Sequence, residues 1–192
     1  DMSKKKKESA EFRFYDLSND KPALVLIGNK WKQVYGENIN NMHFHNLLEI
    51  GYCHYGSGDL VIEEDHYRFA KQMVSCIPAN FLHVTRSDAG VIAYWEWIYI
   101  NPAEILKDCG KTRQEIRAVL EAVNDRAFFV HAQENPVFAA LVRAVFDEMR
   151  HKGEHHLECV RGMVYALVFE IARFNDKEVS RTLSRNGSLQ LE

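Results

Sequence analysis

The spacing of hydrophobic positions changes once along this chain, near residue 101. Before that point apolar residues alternate with polar ones or come in short runs: FRFYDL, ALVLIG, WKQVYG, LLEIGYCHYG, GDLVIEEDHYRFA, MVSCIPANFLHVTRS and VIAYWEWIYI. Each run is rich in β-branched or aromatic residues, and Asn, Asp, Gly or Pro separate them, which marks strands rather than helices. Many short strands at close spacing predict an antiparallel sandwich or barrel over residues 12–101. Glu64-Asp65 reads as the tip of a hairpin within it.

After residue 101 the period becomes helical. Asn101-Pro102 with Glu104 supplies an N-cap, a first-turn proline and a capping acid, and predicts a short helix to about Cys109. Thr112 with Glu115 offers a capping box ahead of Ile116, Val119, Leu120 and Val123. Asn135-Pro136 repeats the start signal before a wide apolar face running from Val137 to Met149. Gly153 then separates this helix from another whose apolar positions run from Leu157 to Phe174. Two long amphipathic helices joined by a short turn predict an antiparallel hairpin over residues 102–175. Apolar residues cover more than one side of the last helix between Met163 and Phe174, and such a surplus calls for a partner surface. From Asp176 to residue 192 the chain turns polar and reads as a linker; residues 1–11, with the run Lys4–Lys7, read as a solvated tail.

Charge narrows the class. Over 192 residues, 24 basic and 27 acidic side chains leave a net charge of −3, which is not the basic face of a nucleic-acid binder. Cys53, Cys76, Cys109 and Cys159 form no CxxC pair and lie among apolar residues, so free thiols in a reducing cytoplasm are expected. No apolar run approaches the roughly 20 residues of a membrane span, and no secretion signal is visible.

The candidate chemistry sits in NMHFHNLLEIGYCHYGSGD, residues 41–59. In a strand, residues two apart share a face, so one unbroken strand would aim His43, His45 and Glu49 the same way. Two imidazoles and a carboxylate on one face suit a borderline metal such as Zn, Ni, Mn or Fe, and they equally suit hydrogen bonds to a polar ligand. Downstream, Pro78-Ala79-Asn80 makes a turn after which His83 could return to the same place. The histidines 151, 155 and 156 flank Gly153 and read as solvated turn residues.

These residues carry a resemblance. His43, His45, Glu49 and Gly56 keep every spacing of the first cupin motif. The second motif is weaker: its Gly before the proline falls on Gln72, its Pro-x-Gly is Pro78-Ala79-Asn80, its His is His83, and its closing Asn is Ser87. The leading Gly of the first motif falls on Glu37, with Gly36 one place off. The last strand, AYWEWIYINP, and the helices after it resemble the N-terminal domain of AraC-type transcriptional regulators over roughly residues 12–175.

That resemblance implies a mainly β fold with α: a cupin-like jelly-roll barrel followed by a C-terminal helical hairpin. It implies a cytoplasmic sensor that is not an enzyme, with no catalytic residues. A small effector, a sugar or related metabolite, would bind in the barrel. The helices would form a homodimer, and DNA would be bound only through a C-terminal domain absent from this chain. His43, His45, Glu49 and His83 are its candidate metal ligands and, with Trp95 and Trp97, its candidate effector contacts. Ala93, Trp95, Trp97 and Tyr99 share one strand face, placed inside the barrel by the resemblance. The alternative is a metal-dependent cupin enzyme, an oxygenase or isomerase.

Overall fold

The computed structural model describes the backbone of residues 10–18, 20–37 and 41–188, and side chains as far as residue 177. Its strands are β1 (Glu11–Arg13), β2 (Leu24–Leu26), β3 (Lys32–Gln33), β4 (His43–His45), β5 (Leu48–Tyr55), β6 (Gly58–Ile62), β7 (Asp65–Phe69), β8 (Met73–Ile77), β9 (His83–Ser87), β10 (Ala93–Ile100) and β11 (Phe128–His131). The helices are α1 (Pro102–Leu106), α2 (Arg113–Asn124), α3 (Pro136–His151) and α4 (His156–Ser188). One five-stranded sheet runs β1-β4-β9-β6-β7; a six-stranded sheet runs β11-β8-β5-β10-β2, with β3 added to β10. The two sheets form a jelly roll that is not closed into a barrel, with the helices following it.

Strand alternation decides what each sheet face holds. In β5, β8 and β10 the even residues Leu48, Ile50, Tyr52, Val74, Cys76, Ile98 and Ile100 are buried against α1–α4 in the largest apolar cluster. The odd residues Cys53, Trp95, Trp97 and Tyr99 form a second cluster between the sheets, and Phe69 of β7 meets Trp95 across the gap, with ring centroids 5.2 Å apart. The six-stranded sheet therefore has both faces covered, which is why VIAYWEWIYI is apolar almost throughout.

The helix starts agree with the signals in the sequence. Asn101 caps α1 by accepting from the Ala103 N–H, the Thr112–Glu115 capping box is complete, and Asn135 caps α3 by accepting from Phe138. A left-handed Lys152 ends α3 just before Gly153. Val164, Leu167, Val168 and Ile171 of α4 are fully buried against the other helices.

Four expectations need correction. Residues 102–175 are not helical throughout, because Phe128–His131 pairs with β8 and extends the sheet. Its AFFV run is too short for its spacing to distinguish strand from helix. The chain does not lose regular structure at Asp176: α4 continues to Ser188, since Lys, Glu and Arg form helix without an apolar stripe and no proline intervenes. At the other end the expected tail 1–11 lies mostly outside the described residues, yet Glu11 already begins β1. The hairpin turn falls on Glu63-Glu64, one residue earlier than expected, with Ile62 paired to Asp65. All four cysteines are free, but only Cys53 and Cys76 are buried; Cys159 is exposed. No described helix is long and apolar enough to cross a membrane.

Candidate functional site

His43, His45, Glu49 and His83 converge, but not by the route the spacing suggests. The strand breaks at Asn46-Leu47, so His43 and His45 lie in the five-stranded sheet and Glu49 in the six-stranded one. The chain crosses between sheets there, and the three side chains meet from opposite walls. His83 is placed by the turn before it. Asn80 adopts a left-handed conformation, φ 67°, and its N–H donates to the His45 carbonyl at 2.9 Å. That bond seats β9 beside β4 with His83 opposite His43.

The geometry at the centre is tight. Nε2 of His45 lies 3.1 Å from Glu49 Oε2, Nε2 of His83 lies 3.4 Å from the same oxygen, and the two nitrogens are 3.3 Å apart. Backbone carbonyls fix both tautomers, because a carbonyl can only accept. His45 Nδ1–H donates to the Leu47 carbonyl at 2.7 Å and His83 Nδ1–H to that of Phe81 at 2.9 Å. Three lone-pair atoms therefore face one another in a buried space, an arrangement that needs a cation among them. A proton on His83 is one solution. Burial opposes that charge, yet the Glu49 carboxylate beside it raises the His83 pKa above its usual value. Burial likewise opposes the Glu49 charge, but the neighbouring His83 holds that carboxyl well below its usual range. Burial, with the neighbouring His83, pushes His43 down to about 3, so it stays neutral.

A divalent metal is the other solution. Donors in neighbouring coordination positions around an ion with bonds near 2.1 Å are about 3.0–3.4 Å apart, which matches the spacings around Glu49. The candidate ligand atoms of all four residues lie within 4.8 Å of one another, and the quartet could hold a metal ion. The carbonyls on Nδ1 are the kind of outer partner that orients metal-bound imidazoles.

The quartet forms one end of a cavity of about 500 Å³ between the sheets, to which His43, Glu49 and His83 contribute wall. Trp97 forms part of its wall, as expected. Trp95, also expected as an effector contact, is not among the lining residues: it stacks behind Trp97 and packs on Phe69 and Phe129. Several wall residues escaped the sequence reading. Tyr99 donates its hydroxyl to Glu49 Oε2 at 2.9 Å, and the alternation Ala93, Trp95, Trp97, Tyr99 had already placed it on this face. Arg13 and Tyr15 come from the N-terminal segment. Its β1 strand runs parallel to β4 with Arg13 beside His45, and Asn46 clamps Tyr15 by accepting from its N–H at 2.8 Å and donating to its carbonyl at 2.9 Å. Trp31, Gln33, Tyr35, Glu37 and Thr85 add to the polar and aromatic lining. Among the described residues, the buried Trp31 Nε1 and His43 Nδ1 have no hydrogen-bond partner.

The AraC-like ligand binding domain matches residues 35–163. Among solved structures, the unsaturated-fatty-acid-bound ToxT from Vibrio cholerae is 13% identical, with TM-score 0.47 over 82% of this chain and 55% of that one. The AraC-like transcriptional activator CuxR is also 13% identical, with TM-score 0.40 over 64% of this chain and 42% of that one. A cupin protein from Bacteroides fragilis is 14% identical, with TM-score 0.33 over 41% of this chain and 62% of that one. The chain thus spans less than two thirds of the length of each of these relatives. No curated protein matches it. With a paired-sheet jelly roll, a lined internal cavity and a family match across two thirds of its length, this chain belongs to the AraC-like ligand binding domain family.

Proposed function

We propose that this chain is the ligand-sensing and dimerisation part of a cytoplasmic AraC-type regulator of transcription. It binds a small effector, a sugar or related metabolite, in the cavity between the sheets. One observation carries the reading: about 500 Å³ of internal space has a histidine–carboxylate end and an aromatic wall. Such concave sites, with a few convergent polar groups on an apolar lining, typically span about 300–1,000 Å³ and take small molecules. DNA contact is assigned to a further domain of the full protein, since this chain carries a net charge of −3.

In this reading the quartet His43, His45, Glu49 and His83 also holds a divalent ion, Zn, Ni, Mn or Fe, which would present a Lewis-acidic position to an effector oxygen. A thermal-shift screen of sugars and divalent metals on the purified chain tests both statements. A ligand at 100 times its dissociation constant should add about 2.7 kcal/mol of stability. His43 lines the cavity, so His43→Ala should abolish stoichiometric metal while leaving the circular dichroism spectrum intact. Retention of one metal per chain by this variant would refute the metal assignment. A screen in which no small molecule raises the melting temperature would refute the effector assignment.

The enzyme reading keeps one observation in its favour: the quartet's donors face an open cavity, which would leave room for a substrate at a bound ion. The same metal-loaded protein separates the two readings. A sensor returns its bound compound unchanged after hours of incubation, whereas an enzyme converts it.

Dimerisation is assigned to α3 and α4. Pro136, Val137, Ala140, Leu141, Ala144 and Met163 line an apolar groove along these helices, and Val137 is 57% exposed. Sedimentation should give a dimer at about tens of micromolar, a range in which modest interfaces associate. Ala140→Glu should give a folded monomer. A wild-type chain that stays monomeric at that concentration would contradict the assignment.

A further inference from the structure

The charge and polarity of the cavity narrow its ligand, granted the effector reading above. We infer that the effector is a sugar acid, a polyhydroxylated carboxylate of the uronate or aldonate class. Its carboxylate pairs with Arg13 at the histidine end, and its ring or chain lies against Trp31 and Trp97. The parallel register of β1 on β4 sets Arg13 beside His45, and the guanidinium lines the cavity together with His43, Glu49 and His83. Glu49 is already engaged there, accepting from the Tyr99 hydroxyl and lying against His45 and His83, while Glu37 also lines the wall. The Arg13 charge is left with Glu11, two residues away on the same strand and half-exposed. Exposed pairs of this kind are weak and exchange readily. A carboxylate entering the cavity would offer Arg13 a drier, forked partner, the geometry that guanidinium groups favour.

The rest of the wall asks for hydroxyls rather than a plain hydrocarbon body. Tyr15, Thr85 and Tyr99 bring hydroxyl groups to the cavity wall, and the unpartnered Trp31 Nε1–H and His43 Nδ1 belong to lining residues. A purely apolar acid would leave the Trp31 and His43 groups buried and unpaired, which is costly. The indoles of Trp31 and Trp97 meet edge to face at 5.2 Å and present flat surfaces for sugar C–H groups.

Isothermal titration with D-galacturonate, D-gluconate and uncharged D-galactose tests the inference, on chelator-treated protein and again with Mn²⁺. At least one acid should bind about tenfold or more tighter than galactose, the increment expected of a hydrogen bond to a charged group. Arg13→Gln should remove that advantage, so that the variant binds neither acid more tightly than it binds galactose. Glu11→Gln should tighten acid binding by freeing Arg13. Galactose binding as tightly as both acids, or an acid preference that survives Arg13→Gln, overturns the inference and leaves the cavity as an effector site. Binding by none of the three overturns it as well; a compound of another class that shifts the melting temperature then preserves the effector reading, and its absence ends both.

Discussion

Glu96→Ala should cost about 3 kcal/mol of stability at neutral pH, near the low end of the range for breaking a buried charge pair. Glu96 lies on β10 between Trp95 and Trp97, but its side chain faces the helices and is fully buried. Its two oxygens accept from four donors. These are the Gly28 N–H at 2.9 Å, the Tyr94 hydroxyl at 2.6 Å, His54 Nε2 at 2.8 Å and the Arg150 guanidinium. The carboxylate thereby ties the loop that leads to Trp31, the sheet and the last turn of α3 to one point. Arg150 and His54 keep partial access to water, so their loss of a partner costs little. The stranded Gly28 and Tyr94 groups and the void account for most of the effect.

The same residue gives an acid dependence with a definite sign. Burial opposes its charge, but the hydrogen bonds from His54, Tyr94 and Arg150 hold the Glu96 pKa down to about 2 against an ordinary 4.5. A depressed carboxylate stabilises the fold above the unfolded pKa, and that contribution fades as pH falls through the folded value. The shift corresponds to about 3 kcal/mol at 1.36 kcal/mol per pH unit. Urea denaturation should therefore show a gap between wild type and Glu96→Gln that is full at pH 6 and shrinks steadily between pH 4.5 and 2. A gap independent of pH across that window would show that the ionised carboxylate is not what stabilises the junction.

Gly56→Ala should cost about 2–5 kcal/mol, combining left-handed backbone strain with overpacking. Gly56 has φ 106°, and a Cβ placed on it would lie 2.4 Å from the Ala93 Cβ and 2.5 Å from its Cα. Backbone cannot move aside cheaply there, because β10 carries Trp97 and Tyr99 to the cavity. The variant should lower the melting temperature. Gly90→Ala is the control: it also has positive φ, 72°, but nothing lies within 4 Å of the added carbon. Equal destabilisation by the two substitutions would mean that strain alone, not the contact with Ala93, sets the cost.

Gly56 also shows what the motif spacing records. The first-motif glycine is required by a close approach of the chain to Ala93 of β10, where no Cβ fits. The position of the missing second-motif glycine, Gln72, still adopts φ 62°, and Asn80 takes φ 67° where the motif has another glycine. Both positions are left-handed without a glycine, so the residue type does not announce the conformation and that motif is the fainter of the two. Gln72 donates its N–H to the Cys53 carbonyl at 2.7 Å and accepts from Ala132 at 2.8 Å, so the turn is held by its neighbours.

The sequence by itself determined the elements whose signals are local. Period-two alternation marked the strands, and Asn101, Thr112 and Asn135 marked the helix starts because a cap is a bond between residues two or three apart. It also marked His43, His45, Glu49 and His83, though for a reason only partly right. Parity implied one strand face, while the chain actually crosses between sheets at Asn46-Leu47 and brings Glu49 back from the opposite wall. Only the tertiary structure decided that crossing, because it depends on which strands pair across long separations. The same holds for Arg13, whose place at the cavity comes from parallel pairing with β4, and for β11, which is a strand because β8 offers it an edge. Trp95 and Trp97 look alike on the alternating strand, yet one is core and the other wall, because Phe69 and Phe129 cover the first. Glu96 is the clearest case: a carboxylate between two tryptophans is not explained by any local pattern, and its four donors come from β5, β10, α3 and the loop at Gly28. Local bonds are written in neighbouring residues; the partners of a buried charge are fixed only when distant segments pack.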